Sequence, residues 1–271
     1  MRPAPGECAE RCVLATVMLR TAFALGTAAA LLPLAAQAQV NTEILRKRIK
    51  DRGFTLVLEG TFDGHTGNTQ GLSADGLVGG GFASGEHRVF AFGSADYTRL
   101  NGTLGVNKSF AHLRYDYALS PFVSWEAFAQ AQSDQLQALQ IRDLLGTGPR
   151  FGVYQDKRLG IFVGVACMLE HDTYDEPVGP GLAVWVQARF SSYVAVTAVL
   201  NDGIQVVTTT YVQPRMGLAR DVRVESESGF VFKVSKALST SVTLTTHFNG
   251  TPPPGVLSTD SELKNILTLT L

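Results

Sequence analysis

The sequence predicts a transmembrane antiparallel β-barrel of about twelve strands. Three observations carry that prediction. Apolar and polar residues alternate with period two from Phe54 to Leu271, leaving no helix or separate core. Many alternating segments run for about 12–18 residues, beyond the 5–6 usual in globular strands and enough for the ~9–11 that cross a bilayer. The chain opens with an export signal and ends on an apolar alternating strand, "LTLTL".

The export signal comes first. Arg20 precedes the uncharged stretch "TAFALGTAAALLPLAA", and Ala36, Gln37 and Ala38 form a small-x-small cleavage site. The apolar stretch is short and interrupted by proline, which suits a signal peptide rather than a membrane helix. Residues 1–38 are therefore expected to be removed, so that the mature chain begins at Gln39. The segment before Met18 carries Glu7 and Glu10, so translation is expected to start at Met18. Cys8 and Cys12 fall in the removed part. Cys167, flanked by "IFVGVA" and "ML", then reads as a small hydrophobe rather than a catalytic thiol.

Residues 39–53 form a basic N-terminal segment. "EILRKRIK" interleaves Arg46, Lys47, Arg48 and Lys50 with Ile44, Leu45 and Ile49. It reads as a short amphipathic helix that touches anionic lipid or tucks into the barrel mouth, or as a solvated tail.

The barrel is expected over residues 54–271, with strands near 54–65, 69–83, 87–100, 107–119, 122–133, 137–154, 158–170, 181–199, 203–213, 221–235, 239–248 and 260–271. Leu113, Tyr115, Tyr117 and Leu119 alternate with His112, Arg114, Asp116 and Ala118. Val222, Val224, Phe230 and Phe232 alternate with Arg223, Glu225 and Glu227 through "VRVESESGFVF". "HRVFAFGSADY" fits either facing, or a bulge. Alternate connections differ in length. "NGTLGVN", "HDTYDEPVGPG", "QPRMGLAR" and "NGTPPPGVLSTD" are long, whereas "SGE", "SP", "QD", "ND" and "SKALS" are short. Outer-membrane barrels show this asymmetry.

Charge sets the facing. A Lys or Arg on the lipid side costs ~2–4 kcal/mol at the bilayer midplane, so Arg114, Arg142, Arg189 and Arg223 are expected to point inward or to sit near an interface. Asp116, Glu126, Glu225 and Glu227 join them as a candidate lumen charge network. Tyr115, Tyr117, Phe122, Trp125 and Tyr193 are candidates for an interfacial aromatic girdle.

Charged residues make up 17% of the chain, below the ~25% of soluble domains. The net charge of −1 argues against nucleic acid as a partner. No cofactor motif stands out. "GLVGGGFASGEH" lacks the strand–loop–helix setting of a phosphate loop and reads as a bend or close strand contact. "HDTYDE" offers His171, Asp172, Asp175 and Glu176 to a divalent cation, but reads first as a solvated acidic loop. "GSADY" and "GTGPR" are not nucleophile elbows. No metal, cofactor or catalytic residue is therefore assigned, and the chain is not expected to be an enzyme.

Several strings together carry a resemblance: "VNTEILRKRIKDRGF", "GHTGNTQG", "LRYDY", "LQALQIRDLLGTGPR", "RFSSY", "TTTYVQPR", "DVRV" and "PPPGVLSTD". Over about residues 40–271 the sequence resembles the YdiY-like salt-induced outer membrane protein family, also called domain of unknown function 481. The resemblance implies an outer-membrane barrel of undetermined molecular role, linked to salt or acid stress, with no catalytic residues to transfer. The matching positions Gly67, Asn68, Arg114, Arg142, Gly146, Gly148, Arg150, Arg189, Tyr211, Gln213, Pro214, Asp221, Arg223 and Pro253 look structural.

The expected role is thus that of a non-enzymatic protein of the Gram-negative outer membrane with a narrow or occluded lumen. An open diffusion pore or transporter for small solutes is the alternative, and an outer-membrane lipid hydrolase is the third. Expected partners are outer-membrane lipid and, during biogenesis, the barrel assembly machinery and periplasmic chaperones.

Overall fold

The computed structural model describes residues 43, 46, 49, 52–65, 71–135, 139–178, 182–252 and 257–271. The expected signal peptide, Cys8, Cys12, Gly67, Asn68 and Pro253 lie outside the described residues.

Twelve strands follow one another: β1 (Gly53–His65), β2 (Gly71–Ser84), β3 (His87–Leu100), β4 (Thr103–Ser120), β5 (Val123–Asp134), β6 (Leu139–Gln155), β7 (Leu159–Val178), β8 (Leu182–Asn201), β9 (Ile204–Arg215), β10 (Leu218–Lys233), β11 (Leu238–Asn249) and β12 (Thr259–Thr270). Each pairs antiparallel with the next, and β12 returns to β1, so the sheet closes into a barrel without an edge. The seam sets Val57–Gly60 against Thr270–Leu267. Leu271 N–H donates to Leu56 O at 2.9 Å, and Leu56 N–H donates back to Leu271 O at 3.2 Å. The apolar terminal strand thereby completes the hydrogen-bond ladder.

The period-two pattern fixes which side chains face in. Along β4, Phe110, His112, Arg114 and Asp116 are buried while Ala111, Leu113, Tyr115 and Tyr117 are exposed. Along β12, Leu263, Leu267 and Leu271 are exposed and Thr268 is buried. The exposed face is a continuous apolar surface that includes Phe54, Leu145, Leu169 and Val186. A hydrocarbon phase satisfies such a surface; water does not. Backbone polar groups are paired around the closed ring, as a bilayer demands. The fold is a transmembrane β-barrel.

Two sequence expectations need correction, and one left open is decided. Tyr193 is no girdle residue: it shares parity with Arg189 and faces inward, buried against Tyr211. Tyr115, Tyr117, Phe122 and Trp125 are exposed on the outside. In β3, Phe90 and Phe92 face inward, and the pairing with β4 shifts register at Thr98/Arg99.

The second correction concerns loop lengths. "NGTLGVN" is not a long loop. Asn101 and Gly102 make a two-residue turn with φ of 48° and 81°, the mirror-image turn that Asn-Gly favours. Met216 and Gly217 turn similarly tightly between β9 and β10. "HDTYDEPV" belongs to β7, which at 20 residues equals β8 in length. Polar residues that resembled loops are strand, because strand beyond the bilayer needs no apolar face.

Candidate functional site

Inside the barrel, among the described residues, two clusters gather most of the inward arginines, apart from the pairs Lys108–Asp134 and Lys264–Asp96. The first joins β4, β5, β6 and β8 to the N-terminal segment. Arg114 and Arg150 face each other's neighbourhood from β4 and β6, and Glu126 of β5 lies 3.8 Å from one and 3.7 Å from the other. Tyr193 on β8 donates its hydroxyl to Glu126 Oε2 at 2.7 Å and accepts from Arg150 Nη1 at 2.9 Å.

Into this cluster comes Glu43. Its side chain is fully buried, and Oε1 accepts from Arg150 Nη1 at 2.6 Å and from Arg114 Nη1 at 3.3 Å. Glu43 and Arg46 are helical. Their spacing of three puts both on one helical face, and Ile49, at a bend, donates its N–H to Arg46 O at 3.3 Å. Arg46 Nε donates to Asp116 Oδ2 at 2.8 Å. Ile49 is buried with Val57, Phe90, Phe92 and Phe110. The segment thus matches the wall in charge: its acid meets two arginines, its base meets an aspartate, and its isoleucine meets the aromatic patch. Burial alone raises the Glu43 carboxyl, but the guanidiniums of Arg150, Arg46 and Arg114 outweigh it and hold the pKa at about 2.

The Gly-rich stretch in β2 explains the fit. A Cβ on Gly81 would lie 2.8 Å and 2.9 Å from Ile49 atoms. Only glycine leaves room there for the segment to reach the wall.

The second cluster joins β6, β7, β8 and β10. Arg142 Nε and Nη2 donate to the two Asp172 oxygens at 2.7 Å and 2.9 Å, a fork-to-fork pair. Arg223 Nη1 donates to Glu170 Oε2 at 2.6 Å, and Arg189 Nη2 donates to Asp221 Oδ1 at 2.7 Å. Arg189 Nε lies 3.4 Å from Glu170 Oε2, and Gln187 also donates to Glu170. Three buried bases meet three acids, and the half-buried Arg215 lies 3.6 Å from Asp221 as well. Buried charge of this kind survives only when paired so closely.

The sequence-derived network residues therefore divide. Arg114, Asp116 and Glu126 belong to the first cluster; Arg142, Arg189 and Arg223 belong to the second. Glu225 and Glu227 follow Arg223 along β10, in register with His247 and Thr245 of β11. Reading the sequence missed Glu43, Tyr193 and Glu170, and treated Arg150 and Asp221 as structural. Glu170 and Asp221 have the inward parity of Arg189 and Arg223 on their strands, a signal that could have found them. Asp172 is not part of a solvated acidic loop: it is buried against Arg142. His171 instead faces outward, 3.6 Å from Asp143. Among the described residues no group of three or more His, Cys, Asp or Glu is arranged to hold a metal.

Known proteins can now be set beside this geometry. The chain is similar in structure to the NanC porin (11% identity, 80% of this chain and 97% of that one, TM-score 0.47). It is also similar to the translocator domain of the autotransporter NalP from Neisseria meningitidis (10% identity, 84% and 95%, TM-score 0.46). A third is the KdgM porin solved with disordered oligogalacturonate (9% identity, 80% and 96%, TM-score 0.41). No curated protein matches the chain. A family model described as a protein of unknown function, DUF481, matches residues 60–270. The chain belongs to the DUF481 family.

Proposed function

We propose that this protein is an outer-membrane barrel held closed by its own N-terminal segment, a non-enzymatic envelope component that serves under ionic stress. One observation carries the reading. Glu43 precedes the first strand, yet its carboxylate is fully buried between Arg114 and Arg150 on the inner wall. A segment anchored by charge at one residue and by apolar contact at Ile49 obstructs the lumen, as the plugged barrels of larger transporters do. The second cluster crosses the interior from β6 to β10 and narrows it further. The apolar outer surface supports residence in the Gram-negative outer membrane, reached through an export signal, periplasmic chaperones and the barrel assembly machinery.

Two of the histidines are held in contacts that suit a non-catalytic role. His112 is hydrogen-bonded to Gln130 and stacked among Phe92, Phe110 and Phe128. His87 is bonded to Tyr115 on the outer face. The competing reading is an open diffusion pore. Liposome swelling separates them: proteoliposomes containing the mature chain are expected to exclude small sugars. Rapid uptake would overturn the closed lumen.

A further inference from the structure

At the end of the barrel where β1 begins and β12 finishes, a cavity of about 530 Å³ opens beside the N-terminal segment. Its size falls in the ~300–1,000 Å³ range of small-molecule sites. Among its described lining residues five are cationic, Arg46, Arg88, Arg150, Lys157 and Arg158, against one acid, Asp156. That acid is engaged within its own turn. Its Oδ1 accepts from the backbone N–H groups of Leu159 and Arg158 at 2.6 Å and 2.7 Å, and its Oδ2 accepts from the Tyr154 hydroxyl at 2.8 Å. These bonds hold the Asp156 carboxyl below its usual range. Arg46 and Arg150 are offset by Asp116 and Glu43, so the excess positive charge of the cavity lies toward its mouth, at Lys157 and Arg158.

Arg150 supplies a second, independent observation. Its side chain is 2% exposed. Nη1 is committed to Glu43 and Tyr193, while buried Nη2 has no hydrogen-bond partner among the described residues. The Phe162 ring lies 4.1 Å from the guanidinium and fixes its plane. A half-used, pre-oriented guanidinium at a cationic cavity suits an oxyanion.

We infer that this cavity binds a small solute bearing carboxylate or phosphate oxygens. Arg150 lines the inner wall of the site, and Lys157 and Arg158 hold the solute at the mouth. The inference rests on the plugged lumen, because Arg46 and Ile49 form part of the wall.

Calorimetric titration of the full mature chain in nanodiscs tests it. Citrate and inorganic phosphate are the probes, and glucose is the neutral control. Saturable binding of either anion but not of glucose is expected, and the better anion identifies the oxyanion preferred. Replacing both mouth cations (Lys157→Gln with Arg158→Gln) is expected to weaken binding by about tenfold. These exposed turn residues leave the fold intact. Absence of saturable binding for both anions, or equal affinity in the double variant, overturns the inference. Conductance of the same protein distinguishes the two readings. A closed barrel that binds no anion defeats only the anion site. A conducting barrel that still binds through Lys157 and Arg158 defeats only the plug.

Discussion

Glu43 Oε1 sits 2.6 Å from Arg150 Nη1, although 107 residues of chain separate them. The contact joins a segment outside the sheet to the inner wall of the barrel. Arg46 with Asp116 repeats the arrangement with reversed charge. The paired reversal gives the docked segment a single register.

Removing the carboxylate charge unlatches the segment. In Glu43→Gln, Arg114 and Arg150 lose the nearer of their two shared acids and keep Glu126, so the cost falls below the ~3–5 kcal/mol of a fully broken buried pair. The segment can relieve that cost by undocking, whereas the wall cannot. Trypsin digestion of the folded protein, which cuts after the basic residues of this segment, is expected to be severalfold faster in the variant. Unchanged protection would count against the latch.

Acid should release the segment too. The Glu43 pKa, about 2 when docked, lies below its ordinary 4.5. Its stabilisation is therefore complete above about pH 4.5 and is lost as pH falls through about 2. Protease protection of the segment is expected to be flat across neutral pH and to fall only below about pH 4.5. A midpoint near neutrality would point to another group.

Steric pressure offers a test that leaves every charge in place. Gly81→Val puts side-chain atoms where Ile49 now sits, given the 2.8 Å approach of even a bare Cβ. The segment is expected to be displaced while the barrel persists, read as greater protease sensitivity without loss of heat-modifiable migration on gels. Full retention of the docked segment would contradict the packing described.

The second cluster is a matter of barrel stability. Asp172→Asn leaves Arg142 buried without its bidentate partner. A loss of ~3–5 kcal/mol is expected, seen as a lower unfolding temperature in detergent. Leu113→Arg tests the opposite face: an arginine on the lipid side is expected to cost ~2–4 kcal/mol near the midplane. Leu113 is 49% exposed on the outside of β4, so a neutral outcome would place that face in water.

Much of this was legible in the sequence, for identifiable reasons. A period of two assigns each residue a side, and the cost of charge in lipid then decides which side is inside. That argument is enough to turn Arg114, Arg142, Arg189 and Arg223 inward. Tyr193 was misread because its residue type was weighed above its parity with Arg189. Residues 171–178 were misread because strand that projects past the bilayer loses its apolar signature. Pairing across the lumen was not readable. Whether Arg223 meets Glu170 depends on how four strands curve round, and alternation along a single strand carries no such information. The docking of Glu43 was beyond reach for a related reason. Its partners lie 71 and 107 residues away, and a short basic stretch reads equally well as a tail.

The closed lumen is tested most directly by single-channel current in planar bilayers, comparing the mature chain with a variant lacking residues 43–50. The mature chain should show little or no steady conductance, and the deletion should open a stable ohmic pore. Large current through the mature chain, or identical currents from both, would contradict the account.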